Sequence, residues 1–129
     1  MLVVDASVLT PALADSGRDG RQFRGRLRGE VLCSPDLVRV EVTSALRRHV
    51  HLGRLTAAQA TRAMADLVDL PITVFPTAPL LRRVWQLREN LTAYDGCYVA
   101  LAEALSCPML TADHRLARAP RVGCTVEVL

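Results

Sequence analysis

Short apolar runs at residues 2–4, 31–33, 72–75, 108–111 and 125–129 alternate with stretches of helical periodicity. That alternation admits few folds. Leu2-Val3-Val4 has no polar face, so it reads as a strand buried on both sides. Helices are expected from Ser7, broken or kinked near Pro11, then over 18–28 and over 37–52 with Gly53 as the stop. Further helices are expected from the Thr56 cap to about residue 70, over 77–91, and from the Thr92 cap to about residue 105. Strands joined through helices make right-handed crossovers and a parallel sheet covered on both faces, an α/β fold. In such sheets ligands bind beyond the carboxyl ends of the strands.

With 129 residues, half of them hydrophobic, the chain reads as a single domain over 1–129 with a proper core. No apolar run approaches the ~18 residues that cross a bilayer. Residues 1–14 end in Ala12-Leu13-Ala14, but they lack a basic segment and Asp5 interrupts them. A cytoplasmic location without membrane contact is expected. Cys33, Cys97, Cys107 and Cys124 form no close pair, which argues for reduced thiols over a zinc or redox motif. Net charge is +3, and all sixteen basic residues are arginine. Arginine binds phosphate bidentately, so a polyanionic partner is compatible.

Four acids stand in apolar or small-residue surroundings: Asp5, Glu41, Asp95 and Asp113. Carboxylates normally go to solvent, and seating one in such a pattern costs free energy. Each has an ordinary alternative. Asp5 or Ser7 can cap the first helix, and Asp95 sits three residues after Thr92, at the spacing of a capping box. Asp113 can cap a turn over 115–119. Glu41 lies a turn inside its helix and could pair with Arg48. The functional case rests on the set. Acids gathered from distant segments repel one another, so they take up protons or share a cation. Asp5 and Asp113 both follow a predicted strand, on the rim where ligands bind.

Leu2-Val3-Val4-Asp5-Ala6-Ser7, Glu41-Val42-Thr43-Ser44-Ala45-Leu46, Thr92-Ala93-Tyr94-Asp95 with Tyr98-Val99-Ala100-Leu101-Ala102, and Leu110-Thr111-Ala112-Asp113 follow in order. Together they resemble the four acidic motifs of PIN-domain ribonucleases, in particular the VapC-type toxins of bacterial toxin–antitoxin pairs. The resemblance implies a three-layer α/β/α sandwich with a central parallel sheet. It also implies Mg²⁺- or Mn²⁺-dependent endonucleolytic cleavage of RNA, transfer RNA or another structured RNA being a common target. A VapB-type antitoxin that wraps the toxin and blocks the acidic site is the implied partner, along with a homodimer and a hetero-oligomer with that antitoxin. The alternative is a non-catalytic PIN-like module that binds RNA or protein and whose acids hold a structural cation.

Mg²⁺ keeps several waters and suits a few carboxylates plus a substrate phosphate. Asp5 and Asp95 are expected as principal metal ligands, with Glu41 and Asp113 completing a second site or acting through water. A metal-activated water would attack the phosphorus in line. Ser7 and Thr111 are the supporting hydroxyls, for which ordinary capping is an equal alternative. A haloacid-dehalogenase-type phosphatase wants a second Asp where Ser7 stands, and a lysine. A receiver domain fails on lysine as well, and dinucleotide binding fails for want of a glycine-rich first loop. Arg18, Arg21, Arg24, Arg26 and Arg28 could contact phosphate but read first as a solvated helix face, and Arg47-Arg48-His49 with His51 is a similar candidate. Trp85 and Tyr98 are expected in the core.

Overall fold

The computed structural model describes all 129 residues. Its five strands are β1 (Leu2–Val4), β2 (Leu32–Pro35), β3 (Ile72–Phe75), β4 (Met109–Thr111) and β5 (Val126–Val128). They form one parallel sheet in the order β3-β2-β1-β4-β5. Val3 pairs with Cys33 on one side and Met109 on the other. Leu2, Val3 and Val4 are wholly buried, because helices cover both faces of this central strand.

The chain winds outward twice from the middle. From β1 it moves through α1 (Ala6–Ala14) and α2 (Arg18–Leu27) to β2, then through α3 (Val38–His51) and α4 (Ala57–Asp69) to β3. From β3 it crosses back through α5 (Leu81–Gln86) and α6 (Ala93–Leu105) to β4, on the other side of β1. Right-handed crossovers taken in opposite directions put their helices on opposite faces. Accordingly α1 packs with α2, α3 and α4, while α6 lies on β1, β2 and β4 with α5 beside it. This is a three-layer sandwich, and the winding reverses between β1 and β4. No helix is long and apolar enough to cross a membrane.

Local signals set most boundaries. Gly53, at φ +70°, ends α3: its N–H bonds the Val50 carbonyl and the Arg54 N–H bonds that of His49, the paired closure of a glycine-stopped helix. Thr56 and Gln59 form a reciprocal capping box on α4. β2 extends two residues past the expected 31–33, and the Ser34 hydroxyl within it donates to the Val4 carbonyl.

Three expectations need correction. The helix after Asp5 is not broken at Pro11: it runs unbroken through it. Proline removes the bond to the Ser7 carbonyl, but the Asp5 cap and the burial of Val8, Leu9 and Ala12 hold the turns on either side. The helix expected over 77–91 is a 3₁₀ turn, Ala78–Leu80, followed by the short α5. There the Leu87 N–H divides between Arg83 and Val84, and the Arg88 guanidinium takes the Trp85 carbonyl that a continuing helix would need. Trp85 is not in the core; it is 68% exposed, with Arg88 stacked 4.6 Å from its ring. Leu80, Val84 and Leu87 hold the inward face, and Trp85 is about 100° round the helix from Val84.

The corner between α1 and α2 depends on one glycine. The Asp15 carboxylate accepts from the N–H groups of Gly17 (2.7 Å) and Gly20 (3.1 Å), and Arg24 ties the Ala12 and Asp15 carbonyls. A Cβ at Gly20 would run into the Asp15 carbonyl and the Arg24 guanidinium. Gly20→Ala is therefore expected to destabilise the protein by roughly 3 kcal/mol in urea denaturation. Wild-type stability in this variant would show that the corner relaxes freely.

Candidate active site

All four acids come to the carboxyl edge of the sheet, where β1 and β4 diverge in their connections. Asp5 directly follows β1 as the N-cap of α1, and Asp113 lies two residues past β4. Glu41 is in the first turn of α3 and Asp95 in the first turn of α6. Helices that run back across a parallel sheet start at that edge, so the topology alone delivers two acids from strand ends and two from helix starts.

Asp5 is the most constrained. It is 6% exposed, and each carboxylate oxygen takes a hydroxyl: Ser7 Oγ donates to Oδ1 and Thr111 Oγ1 donates to Oδ2, both at 2.6 Å. Oδ1 also accepts the Val8 N–H at 3.2 Å, which is the helix cap. Capping and membership of the acidic group are thus one geometry. The hydroxyls accept in turn, Ser7 from the Ala112 N–H at 2.9 Å and Thr111 from the Asp113 N–H at 3.0 Å, which latches the end of β4 to that of β1. Burial raises the Asp5 pKa against these bonds, and the charge of Asp95 adds to the rise.

Asp95 gives its backbone N–H to Thr92 Oγ1 at 3.1 Å. Its shorter side chain does not return the bond to the Thr92 backbone as Glu would, so its carboxylate is not tied back to the cap backbone. Burial raises its pKa, the Thr92 hydroxyl opposes, and Asp113 adds to the rise. Glu41 is raised chiefly by burial as well, against a hydrogen bond from Tyr98, with the charges of Asp5 and Asp95 adding. It does not pair with Arg48. Three acids therefore sense one another and hold their protons more tightly than free carboxylates do.

Asp113 behaves differently. Arg115 grips it with Nη2 at 2.6 Å and Nε at 3.0 and 3.1 Å, and the Arg115 N–H adds a turn bond at 2.9 Å. These bonds lower its pKa. As the side chains stand, no three Asp, Glu, His or Cys side chains close round a single ion. Beside the acids opens a cleft of about 970 Å³, whose lining includes Ser7, Glu41, Ser44, Arg48, Arg54 and Tyr94.

The PIN domain family model matches residues 2–122. Ribonuclease VapC9 of Mycobacterium tuberculosis is 43% identical over 129 residues, covering all of this chain and 98% of that protein. The chain belongs to the PIN-domain family, as a VapC-type ribonuclease. Solved structures agree on the fold. VapC20 of Mycobacterium tuberculosis, a Sarcin-Ricin loop cleaving toxin, superposes with a TM-score of 0.72 at 15% identity, over 92% of this chain and 94% of that one. VapBC2 from Rickettsia felis, bound to a DNA fragment from its promoter, gives 0.71 at 11% identity over 99% and 98%. Nucleases of this family are in general metal-dependent.

The donor set of this VapC-type ribonuclease fits a hard divalent cation. Asp5, Glu41, Asp95, Ser7 and Thr111 all offer oxygen, and the protons that Asp5, Glu41 and Asp95 favour are what a cation would replace. An ion that keeps most of its waters needs no closed protein cage. Two residues at the site were not read from the sequence as part of it. Tyr98, expected only as core, is 1% exposed and also donates its hydroxyl to Glu41 Oε1 at 3.3 Å. Its spacing three residues after Asp95 was the available signal. Arg115 sits two residues after Asp113, a spacing that carries no helical periodicity to flag it. Of the basic segment, Arg21 bonds the Ser16 carbonyl, Arg24 those of Ala12 and Asp15, and Arg26 the carboxylates of Glu30 and Glu127.

Proposed function

We propose that this protein is a Mg²⁺- or Mn²⁺-dependent endoribonuclease, one PIN-like domain over residues 1–129, acting as the toxin of a VapBC-type pair. The observation that carries the proposal is the convergence of Asp5, Glu41 and Asp95 from a strand end and two helix starts, each with its pKa raised by burial and then by a neighbouring acid. Asp5 and Asp95 are the principal metal ligands, with Glu41 and Asp113 completing the site. When bound, the cation supplies an acidified water and compensates the charge that develops on the phosphate.

The remaining work falls to the chain's own side chains. Ser7 and Thr111 fix both oxygens of Asp5, so this ligand is held in place before any cation arrives. Asp113 has to be released by Arg115, whose side chain is 89% exposed and so can turn to a phosphate at little cost. Arg48 and Arg54, along the cleft from Glu41, offer bidentate contacts to the backbone on one side of the cut. Structured RNA such as transfer RNA is the proposed substrate. A VapB-type antitoxin, a homodimer and a cytoplasmic site of action complete the proposal.

The test is to incubate the purified protein with total RNA and Mg²⁺ and to map the new 5′ ends. Discrete cuts in one class of RNA are expected. Binding without cleavage would instead identify a non-catalytic module.

A further inference from the structure

We propose that Tyr98 is a positioning residue of the nuclease site, its hydroxyl holding the Glu41 carboxylate in place for the divalent cation. This rests on the reading of the acids as a metal site and deepens it. The bond runs from α6 to α3, at 3.3 Å, between a ring packed to 1% exposure and a half-buried carboxylate. It is the one hydrogen bond that the Glu41 carboxylate receives, and Glu41 takes part in no ion pair.

Without that bond Glu41 would have every reason to leave. Its side chain has three rotatable bonds, Asp5 and Asp95 repel it, and the cleft beside it leads to Arg48 and Arg54. Tyrosine meets the need in a way that a basic residue could not. A guanidinium would neutralise the carboxylate and rival the incoming cation, as Arg115 does at Asp113. A phenol donates a directed bond and leaves the charge available. The placement is economical: Asp95 and Tyr98 stand three residues apart on one face of α6, so the helix that supplies one acid also restrains another. Groups that orient a ligand in this way are commonly worth ~10–100-fold in metal affinity or activity.

Tyr98→Phe keeps the ring and removes the hydroxyl, so the core stays filled. The experiment compares wild type, Tyr98→Phe, Glu41→Gln and the double variant, all full length. Mn²⁺ affinity is read by calorimetry, RNA cleavage as kcat and KM, and metal-free unfolding by circular dichroism. Tyr98→Phe is expected to lower Mn²⁺ affinity and kcat by about tenfold each and to leave the KM for RNA in place. In the Glu41→Gln background the same change should add nothing, because the group it positions is already gone. A purely structural tyrosine would lower unfolding stability equally in both backgrounds, and that result would overturn the proposal. So would unchanged Mn²⁺ affinity in Tyr98→Phe. The nuclease reading fails separately, if wild type binds Mn²⁺ and cuts no RNA; the affinity measurements judge Tyr98 even then.

Discussion

Asp5→Asn is expected to lower RNA cleavage by about a thousandfold, some 4 kcal/mol of transition-state stabilisation, while leaving the metal-free protein more stable than wild type. Asparagine is isosteric and caps a helix as well as aspartate does, so the Val8 bond survives. One of the two short hydroxyl contacts now faces an amide instead of a carboxylate oxygen, and the hydroxyl can turn to accept from it. What disappears is the anion. Burial holds the Asp5 pKa above its ordinary value, so folding favours the protonated acid. That contribution is complete below the unfolded pKa and is lost as the pH rises through the folded one. The stability gain of the variant should therefore be largest near neutral pH and fade on acidification. Urea denaturation of both proteins along a pH series, beside a cleavage assay, checks the two halves together. Full activity in Asp5→Asn would remove it from the chemistry, and a loss of stability at neutral pH would show that its charge is not a burden.

Chelation should be as drastic. With EDTA, cleavage is expected to fall to background and to return with Mg²⁺ or Mn²⁺. The same titration should stabilise the fold, since an ion that binds only the native state adds ~2.7 kcal/mol at a hundred times its dissociation constant. That increment should be smaller in Asp5→Asn, which lacks one of the proposed ligands. Cleavage undiminished in EDTA would mean that the acids act without metal.

Much of this molecule can be read from its residues. β1 is evident because Leu2, Val3 and Val4 carry no polar face, and the two sides of the sheet are implied by that. Thr56, Gly53 and Thr92 mark helix ends by chemistry that acts within a few residues. The acids are legible for the same reason, since each lies at a strand end or in a helix's first turn. The misreadings share a different cause. α5 ends early where the backbone N–H and the guanidinium of Arg88 both take the Trp85 carbonyl, a contact that no apolar pattern encodes. Trp85 has the composition of a core residue, but its angular position puts it outside. Tyr98 looks like core and is core; only its long-range partner Glu41, in another helix, reveals the second role. For Asp5 the two readings coincide: the carboxylate that caps α1 through the Val8 N–H is also the one that Ser7 and Thr111 hold at the acidic edge.

If folding turns four separated acids into a receptor for a hard cation, the ion itself must be visible at the carboxyl edge of the sheet. Crystals grown with Mn²⁺ and measured at a wavelength where manganese scatters anomalously test that without reference to any substrate. The expected map has an anomalous peak against the carboxylates of Asp5 and Asp95, missing from Asp5→Asn crystals treated alike. A map without a peak at this edge, or with manganese bound only elsewhere on the protein, would contradict it.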